Sequence, residues 1–135
     1  MPSGPVEAKV RVIYGDTDKM GVVYYANYLR YFELSRGELF RALGGSYVEL
    51  ERQGFGLPVV EAHVFYRASA RYDDLLVVKA SISELRRASL AFEYEVRREG
   101  DEQVLCTGST LHACLGADGR PTRLPEGMLQ LLEGA

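Results

Sequence analysis

The chain has 135 residues, of which 47% are hydrophobic and 26% are charged, and this composition excludes a disordered or fibrous protein. Such a length suits a single domain over residues 1–135 with its own core. The 16 Lys and Arg oppose 19 Asp and Glu, and a formal net charge of −3 argues against nucleic-acid binding through phosphate neutralisation. No apolar stretch approaches the roughly 18 residues of a membrane span, and residues 1–5 lack the apolar run of a signal peptide.

The two cysteines, Cys106 and Cys114, fall in one late apolar segment. Because residues so far apart on one extended strand lie beyond disulfide reach, we expect two reduced, buried thiols. A zinc site would need more Cys or His at ligand spacing, so no metal is predicted. These features favour a reducing cytoplasm as the compartment.

Hydrophobic patterns divide the chain into a strand, a long helix and four further strands. Apolar residues at every second position predict the first strand over residues 6–14. After a polar loop, a helix is predicted over residues 23–43, because large apolar side chains recur at helical spacing until Gly44-Gly45 stops it. Further strands are predicted over residues 57–67, 76–82, 90–97 and 103–115, with a short terminal helix over residues 125–132.

This order of elements predicts an α+β fold, in which an antiparallel sheet of about five strands folds around the long central helix. Parallel pairing would need a crossover helix between strands, and turns such as Glu99-Gly100-Asp101 are too short for one. Because the helix carries large apolar groups off its main stripe, we expect it to be enclosed on more than one side. In the strand over residues 57–67, one face is predicted to hold Pro58, Val60, Ala62, Val64 and Tyr66.

The loop before the helix carries two carboxylates, Asp16 and Asp18, followed by Gly21. The first turn of a helix leaves backbone N–H groups without partners and carries the positive end of the helix dipole. A nucleophile or acid/base group would therefore lie beside a site that can stabilise an oxyanion. Asp and Gly are also common in ordinary caps and turns, so the spacing alone leaves both readings open.

The string Tyr14–Glu33, YGDTDKMGVVYYANYLRYFE, resembles the signature of hotdog-fold acyl-CoA thioesterases of the 4-hydroxybenzoyl-CoA thioesterase type. Within that family it is most similar to the bacterial acyl-CoA thioesterases associated with the Tol-Pal system. The resemblance continues through Tyr72-Asp73-Asp74 and through RRAS at residues 86–89, so it covers nearly the whole chain. It implies a hotdog fold, an acyl-CoA substrate, no cofactor, and a homodimer or homotetramer with active sites at the subunit boundary.

The resemblance also implies site residues. Asp18 matches the catalytic aspartate, which either attacks the thioester carbonyl or acts as general base on water. Tyr25 matches the residue whose backbone N–H, at the start of the helix, polarises that carbonyl; the Tol-Pal-associated relatives commonly have His here. Arg86 and Arg87 match two basic residues that contact the phosphates of coenzyme A, and the third basic position is Ala88. A solvated turn between strands remains the alternative for this pair.

Other polar residues are expected to be structural. Asp16 and Thr17 should shape the loop, with the Asp16 carboxylate accepting nearby backbone N–H groups. Asn27 and Glu33 fit the family string and are expected to help hold either the loop or the subunit boundary, without a part in the chemistry. His63 and His112 fall in no nucleophile or metal pattern. Two other functions stay open: an acyl-thioester hydratase, which would need a His near the loop, and a non-catalytic acyl-thioester-binding or scaffold oligomer.

Overall fold

The computed structural model describes residues 5–134. The strands are β1 (Val6–Arg11), β2 (Val59–Tyr66), β3 (Leu75–Leu85), β4 (Ser89–Arg98) and β5 (Val104–Ala113), and the helices are α1 (Asn27–Ala42), α2 (Tyr47–Arg52) and α3 (Glu126–Glu133). All five strands form one antiparallel sheet in the order β1-β3-β4-β5-β2. The predicted α+β architecture, one long helix against a five-stranded antiparallel sheet, is confirmed.

The core lies between α1 and one face of the sheet. Phe32 of α1 stacks on Tyr94 of β4 with ring centroids 4.3 Å apart, and Phe40 meets Phe92 edge-on at 5.9 Å. A side chain at Gly108 of β5 would come within 2.5 Å of the Phe32 ring, so only glycine permits this close approach of helix and sheet. This packing fixes where the first turn of α1 lies relative to the strands.

The helix begins four residues later than predicted. Val22 and Val23 are held in extended bridges to Arg71 and Thr17, and such β-branched residues suit extended backbone. The first strand is also shorter than predicted, since it ends at Arg11 and a 3₁₀ turn occupies Tyr14–Asp16. These two differences make the loop between β1 and α1 longer and more ordered than the hydrophobic pattern suggests.

The prediction for the face of β2 is wrong at its first residues. The pairing of β2 with β5 shifts between Val59 and Glu61, and Val59 pairs with His112 while Ala62 pairs with Thr110. Because this bulge adds one residue, Val59 rather than Val60 shares a face with Ala62. Both faces of the strand are largely exposed, with Val60 54% and Phe65 61% exposed.

The expectation that α1 is enclosed on more than one side is also wrong for this chain. Tyr31 is buried, but Leu34 is 49% exposed and Leu29 is 38% exposed. The five strands cover one side of the helix only. A strip of apolar surface therefore runs along α1 next to the exposed strand β2.

Three smaller features accompany the sheet and the long helix. Helix α2 was not predicted. Its N-cap residue Ser46 accepts a hydrogen bond from the Glu49 N–H at 3.1 Å, and Ser46 with Glu49 forms the Ser-x-x-Glu pattern that is typical of a helix start. Cys106 and Cys114 are free and buried as expected, and burial raises the pKa of the Cys106 thiol to about 12. Within residues 5–134, no helix has the length and apolar character needed to cross a membrane.

Candidate active site

Asp16 anchors the loop that precedes α1. It is only 6% exposed, and its Oδ2 accepts hydrogen bonds from the Ile13 N–H at 3.2 Å and the Tyr31 hydroxyl at 3.0 Å. Its backbone carbonyl accepts from the Tyr24 N–H at 2.8 Å and from Asn27 Nδ2 at 2.9 Å. Burial, and then the bond to Asp16, raise the pKa of Tyr31. The structural roles expected of Asp16 and Asn27 are therefore confirmed.

Asp18 lies in a tight loop that leaves much of its carboxylate free. Its N–H donates to the Val22 carbonyl at 2.9 Å, and its own carbonyl accepts from the Gly21 N–H at 3.0 Å. Gly21 has a φ of +78°, a conformation that disfavours any side chain. Oδ1 accepts from the Met20 N–H at 2.8 Å, whereas Oδ2 has no partner among residues 5–134. The half-buried carboxylate is therefore fixed by one oxygen and available at the other.

Residues 24–27 form a turn that presents two backbone amides. The Asn27 N–H donates to the Tyr24 carbonyl at 2.9 Å, and Ala26 has φ −70° and ψ −21°. Because Tyr25 has no positive φ, these values fit a type I turn with Tyr25 at its second position. In the described chain, neither the Tyr25 N–H nor the Ala26 N–H has a hydrogen-bond partner.

This turn corrects the expected position of Tyr25. Tyr25 lies two residues before the first helical residue, Asn27, rather than within the first turn of the helix. Its amide still lies at the positive end of the 16-residue helix α1, whose first turn contains no acidic side chain. Unpaired amides at such a place can stabilise negative charge that develops on a carbonyl oxygen.

Tyrosine side chains surround the turn. Tyr24 and Tyr25 have ring centroids 4.7 Å apart, and their interaction raises the pKa of Tyr24, with a smaller contribution from the nearby Asp18 carboxylate. Tyr66, at the end of β2, donates its hydroxyl to the Tyr25 carbonyl at 2.8 Å. The sequence predicts only that Tyr66 lies on one face of a strand. Its contact with Tyr25 could not be predicted, because no local pattern connects residues that are 41 positions apart.

Arg86 and Arg87 lie far from Asp18 within one chain. Both are exposed in the turn between β3 and β4, and Arg86 pairs with Glu84. The Asp18 loop adjoins the opposite end of β3, where Val12 and Asp74 are hydrogen-bonded. Since β3 has 11 residues, it is roughly 35 Å long at about 3.3 Å per residue. One protomer therefore does not bring the two sets of site residues together.

One basic residue beside this turn was missed. The Leu124 N–H donates to the Arg87 carbonyl at 2.7 Å, so the segment before α3 runs alongside the turn. Leu124 is buried and Arg123 is exposed, which places the Arg123 side chain on the outer side of that segment. The backbone of Arg123 thus lies next to the turn that contains Ala88, the position where the resemblance leaves a basic residue missing.

The two histidines lie outside the loop. His112 is fully buried, with Nδ1 2.9 Å from the Leu57 carbonyl and Nε2 2.8 Å from Thr110 Oγ1, and burial lowers its pKa. His63 is exposed on β2 beside Glu61. Among the residues described, no three His, Cys, Asp or Glu side chains gather in a way that could hold a metal ion.

Comparison with known proteins gives consistent matches over nearly the whole chain. Residues 12–132 match the family described as the thioesterase-like superfamily. The chain is similar to the acyl-CoA thioester hydrolase YbgC of Escherichia coli O6:H1, with 32% identity over 89% of this chain and 90% of the relative.

Two solved structures show the same architecture. The DHNA-CoA thioesterase of Staphylococcus aureus has a TM-score of 0.89 and 32% identity, over 96% of this chain and 87% of that one. A 4-hydroxybenzoyl-CoA thioesterase variant with Asn in place of an Asp, in complex with 4-hydroxybenzoyl-CoA, has a TM-score of 0.85 and 26% identity, over 95% and 98%. The fold is thus the hotdog fold, and the chain belongs to the thioesterase-like superfamily.

Proposed function

We propose that this protein hydrolyses acyl-CoA thioesters to a free carboxylic acid and CoA, with Asp18 as the reacting carboxylate and the Tyr25 amide polarising the carbonyl. One observation carries the proposal: on a single loop that Asp16 holds in place, one carboxylate oxygen and two backbone amides have no hydrogen-bond partner among residues 5–134. The names of the similar proteins, an acyl-CoA thioester hydrolase and two acyl-CoA thioesterases, support this reaction class.

Hydrolysis of a thioester needs few catalytic groups. A thioester carbonyl is already electrophilic and a thiolate is a good leaving group, so a carboxylate and an oriented amide dipole can suffice. Asp18 either attacks the carbonyl carbon, so that CoA leaves as the thiolate and water then hydrolyses the mixed anhydride to release the acid, or it removes a proton from the water that attacks the thioester. Rapid-quench mass spectrometry distinguishes the two, because an acylated peptide containing Asp18 forms only by direct attack.

We further propose that two protomers build each site. If β2 pairs antiparallel with the β2 of a second copy, the sheet continues across the boundary and no edge remains at β2. The partner's Arg86 and the partner's Arg87 then lie at the same end of the joined sheet as Asp18. The exposed apolar residues on β2 and along α1 support this pairing.

The same pairing supplies a place for the acyl group. A cavity of about 260 Å³ lies between α1 and the beginning of β2, lined in part by Leu29, Arg36 and Val59. In an antiparallel pair in register about the middle of β2, Tyr66 lies opposite the partner's Val59. The cavity of one protomer therefore borders the Asp18 loop of the other.

Arg86, Arg87 and Arg123 are proposed to bind the phosphates of CoA, because guanidinium groups match phosphate oxygens geometrically. The active unit is a homodimer, which can assemble further into a homotetramer. The cytoplasm is the proposed compartment, and the two free thiols at Cys106 and Cys114 suit it.

The test is release of free thiol from acetyl-, butyryl-, longer-chain and hydroxylated aromatic acyl-CoAs. A thioesterase releases CoA and the free acid in equal amounts from at least one ester. A hydratase would instead alter the acyl group of an unsaturated ester and leave the thioester intact. An acyl-thioester-binding protein would protect the ester without turnover, and either of these results would overturn the proposal.

A further inference from the structure

Tyr66 makes a hydrogen bond that links the strand β2 to the turn at Tyr25. Its hydroxyl donates to the Tyr25 carbonyl at 2.8 Å, and its ring packs edge-on against Tyr25 and Tyr28 at centroid distances of 6.4 and 5.5 Å. Burial raises the pKa of Tyr66, so the hydroxyl keeps its proton at neutral pH. The side chain therefore acts as a fixed donor toward the backbone of the turn.

Both peptide groups of the turn accept a hydrogen bond on the carbonyl side. The Tyr24 carbonyl, in the same peptide group as the Tyr25 N–H, accepts from the Asn27 N–H at 2.9 Å. The Tyr25 carbonyl, in the same peptide group as the Ala26 N–H, accepts from Tyr66. Because hydrogen bonds in a chain polarise one another, each accepted bond makes the N–H of its peptide group a stronger donor.

We propose that Tyr66 is a positioning residue, which holds the Tyr25–Ala26 peptide so that the neighbouring amides of Tyr25 and Ala26 both point at the thioester oxygen. The inference rests on the proposed function and adds a second amide and a side chain that orients it. Without the hydroxyl, the Tyr25 carbonyl loses its only partner in the described chain and the peptide can rotate. The Ala26 N–H would then lose its orientation, while the fold keeps its core.

The first experiment compares Tyr66→Phe with Tyr72→Phe. Tyr72 is a matched control, because it lies near the same loop, stacks on Tyr14 and has a hydroxyl with no partner among residues 5–134. We expect Tyr66→Phe to lower kcat roughly three- to tenfold, the effect of one neutral hydrogen bond. KM should stay unchanged and the melting temperature should fall by no more than the few degrees that one neutral hydrogen bond accounts for, and Tyr72→Phe should match wild type in all three.

The second experiment measures carbonyl polarisation directly. The acyl-CoA that wild type hydrolyses fastest is labelled with ¹³C at the carbonyl and bound to Asp18→Asn and to Asp18→Asn with Tyr66→Phe. Infrared difference spectra should show a smaller shift of the carbonyl band toward low frequency in the double variant. If the bond from Tyr66 to the Tyr25 carbonyl is purely structural, its loss lowers the melting temperature but leaves the carbonyl band at the same frequency in both variants. That result would overturn the positioning role of Tyr66.

The two proposals fail in different ways. If Asp18→Asn keeps full activity, the catalytic assignment on which this inference rests is wrong. If Asp18→Asn is inactive while Tyr66→Phe keeps wild-type kcat and an unchanged carbonyl band, only the role of Tyr66 is overturned.

Discussion

The Tyr25 amide can be removed without removing any hydrogen bond among residues 5–134. Its N–H has no partner in the described chain, and Tyr25 occupies the second position of a type I turn, where proline is favoured. Tyr25→Pro therefore deletes the proposed oxyanion donor and keeps the Asn27–Tyr24 bond that closes the turn. We expect the free energy of unfolding to change by no more than about 1 kcal/mol.

The expected loss of activity follows from the chemistry of one donor. Removal of a single oxyanion-hole donor costs roughly 10²–10³ in kcat, or about 3–4 kcal/mol. Tyr25→Ala is the matched control, because it deletes the same ring but keeps the N–H. The Tyr25 ring is 61% exposed and packs beside Tyr24 and Tyr66, so its loss should lower kcat by less than about tenfold.

The assay is thiol release at saturating acyl-CoA for wild type and both variants, with thermal unfolding measured in parallel. A large loss in Tyr25→Pro beside a small loss in Tyr25→Ala supports the backbone role. Equal losses in the two variants would refute the reasoning, because the side chain would then account for the whole effect. Wild-type kcat in a folded Tyr25→Pro would refute it as well.

Two predictions concern the subunit boundary and the CoA phosphates. The double variant Arg86→Ala, Arg87→Ala should raise KM for acyl-CoA at least tenfold and leave KM for the matching N-acetylcysteamine thioester, which has no phosphates, unchanged. The control Arg52→Ala on α2 should change neither KM value. Equal effects of the double variant on both esters would exclude phosphate binding by Arg86 and Arg87. Phe65→Lys on β2 should weaken self-association roughly 100-fold or more in sedimentation measurements, since each of two symmetry-related copies loses about 1.5–3 kcal/mol of apolar burial. Val48→Lys is the control, because Val48 on α2 is as apolar as Phe65 and similarly exposed, and it should leave assembly unchanged. An undisturbed dimer in Phe65→Lys would contradict pairing through β2.

The strands of the sheet could be predicted because their hydrophobic alternation is local. In β3 and β4 alternate residues are buried, namely Leu76, Val78 and Ala80 in β3 and Leu90, Phe92, Tyr94 and Val96 in β4, and these two strands contain the predicted ranges 76–82 and 90–97. The strand β2 shows the same alternation and yet lies exposed at the edge of the sheet. An alternating pattern predicts that one face of a strand is apolar, but it does not predict whether the residues that pack on that face come from the same chain or from a partner.

The candidate site was harder to predict from the sequence. The pattern locates Asp18 in a loop before the helix, but the bridges of Val22 and Val23 decide where the helix begins. Those bridges depend on Arg71 and Thr17, and the bond from Tyr66 to Tyr25 depends on β2. Contacts between distant segments leave no periodic signal, so the exact place of the Tyr25 amide required the structure.

The most direct test compares the kcat of Asp18→Asn with that of Asp101→Asn. In each aspartate, Oδ1 accepts a hydrogen bond from the backbone N–H two residues later, at 2.8 Å for Asp18 and 2.9 Å for Asp101. An asparagine keeps an oxygen acceptor for this bond and cannot act as a nucleophile or general base. We predict that Asp18→Asn lowers thiol release at least about 10²–10⁴-fold in a folded protein, while Asp101→Asn behaves as wild type. Full hydrolysis by Asp18→Asn would contradict the assignment of the active site.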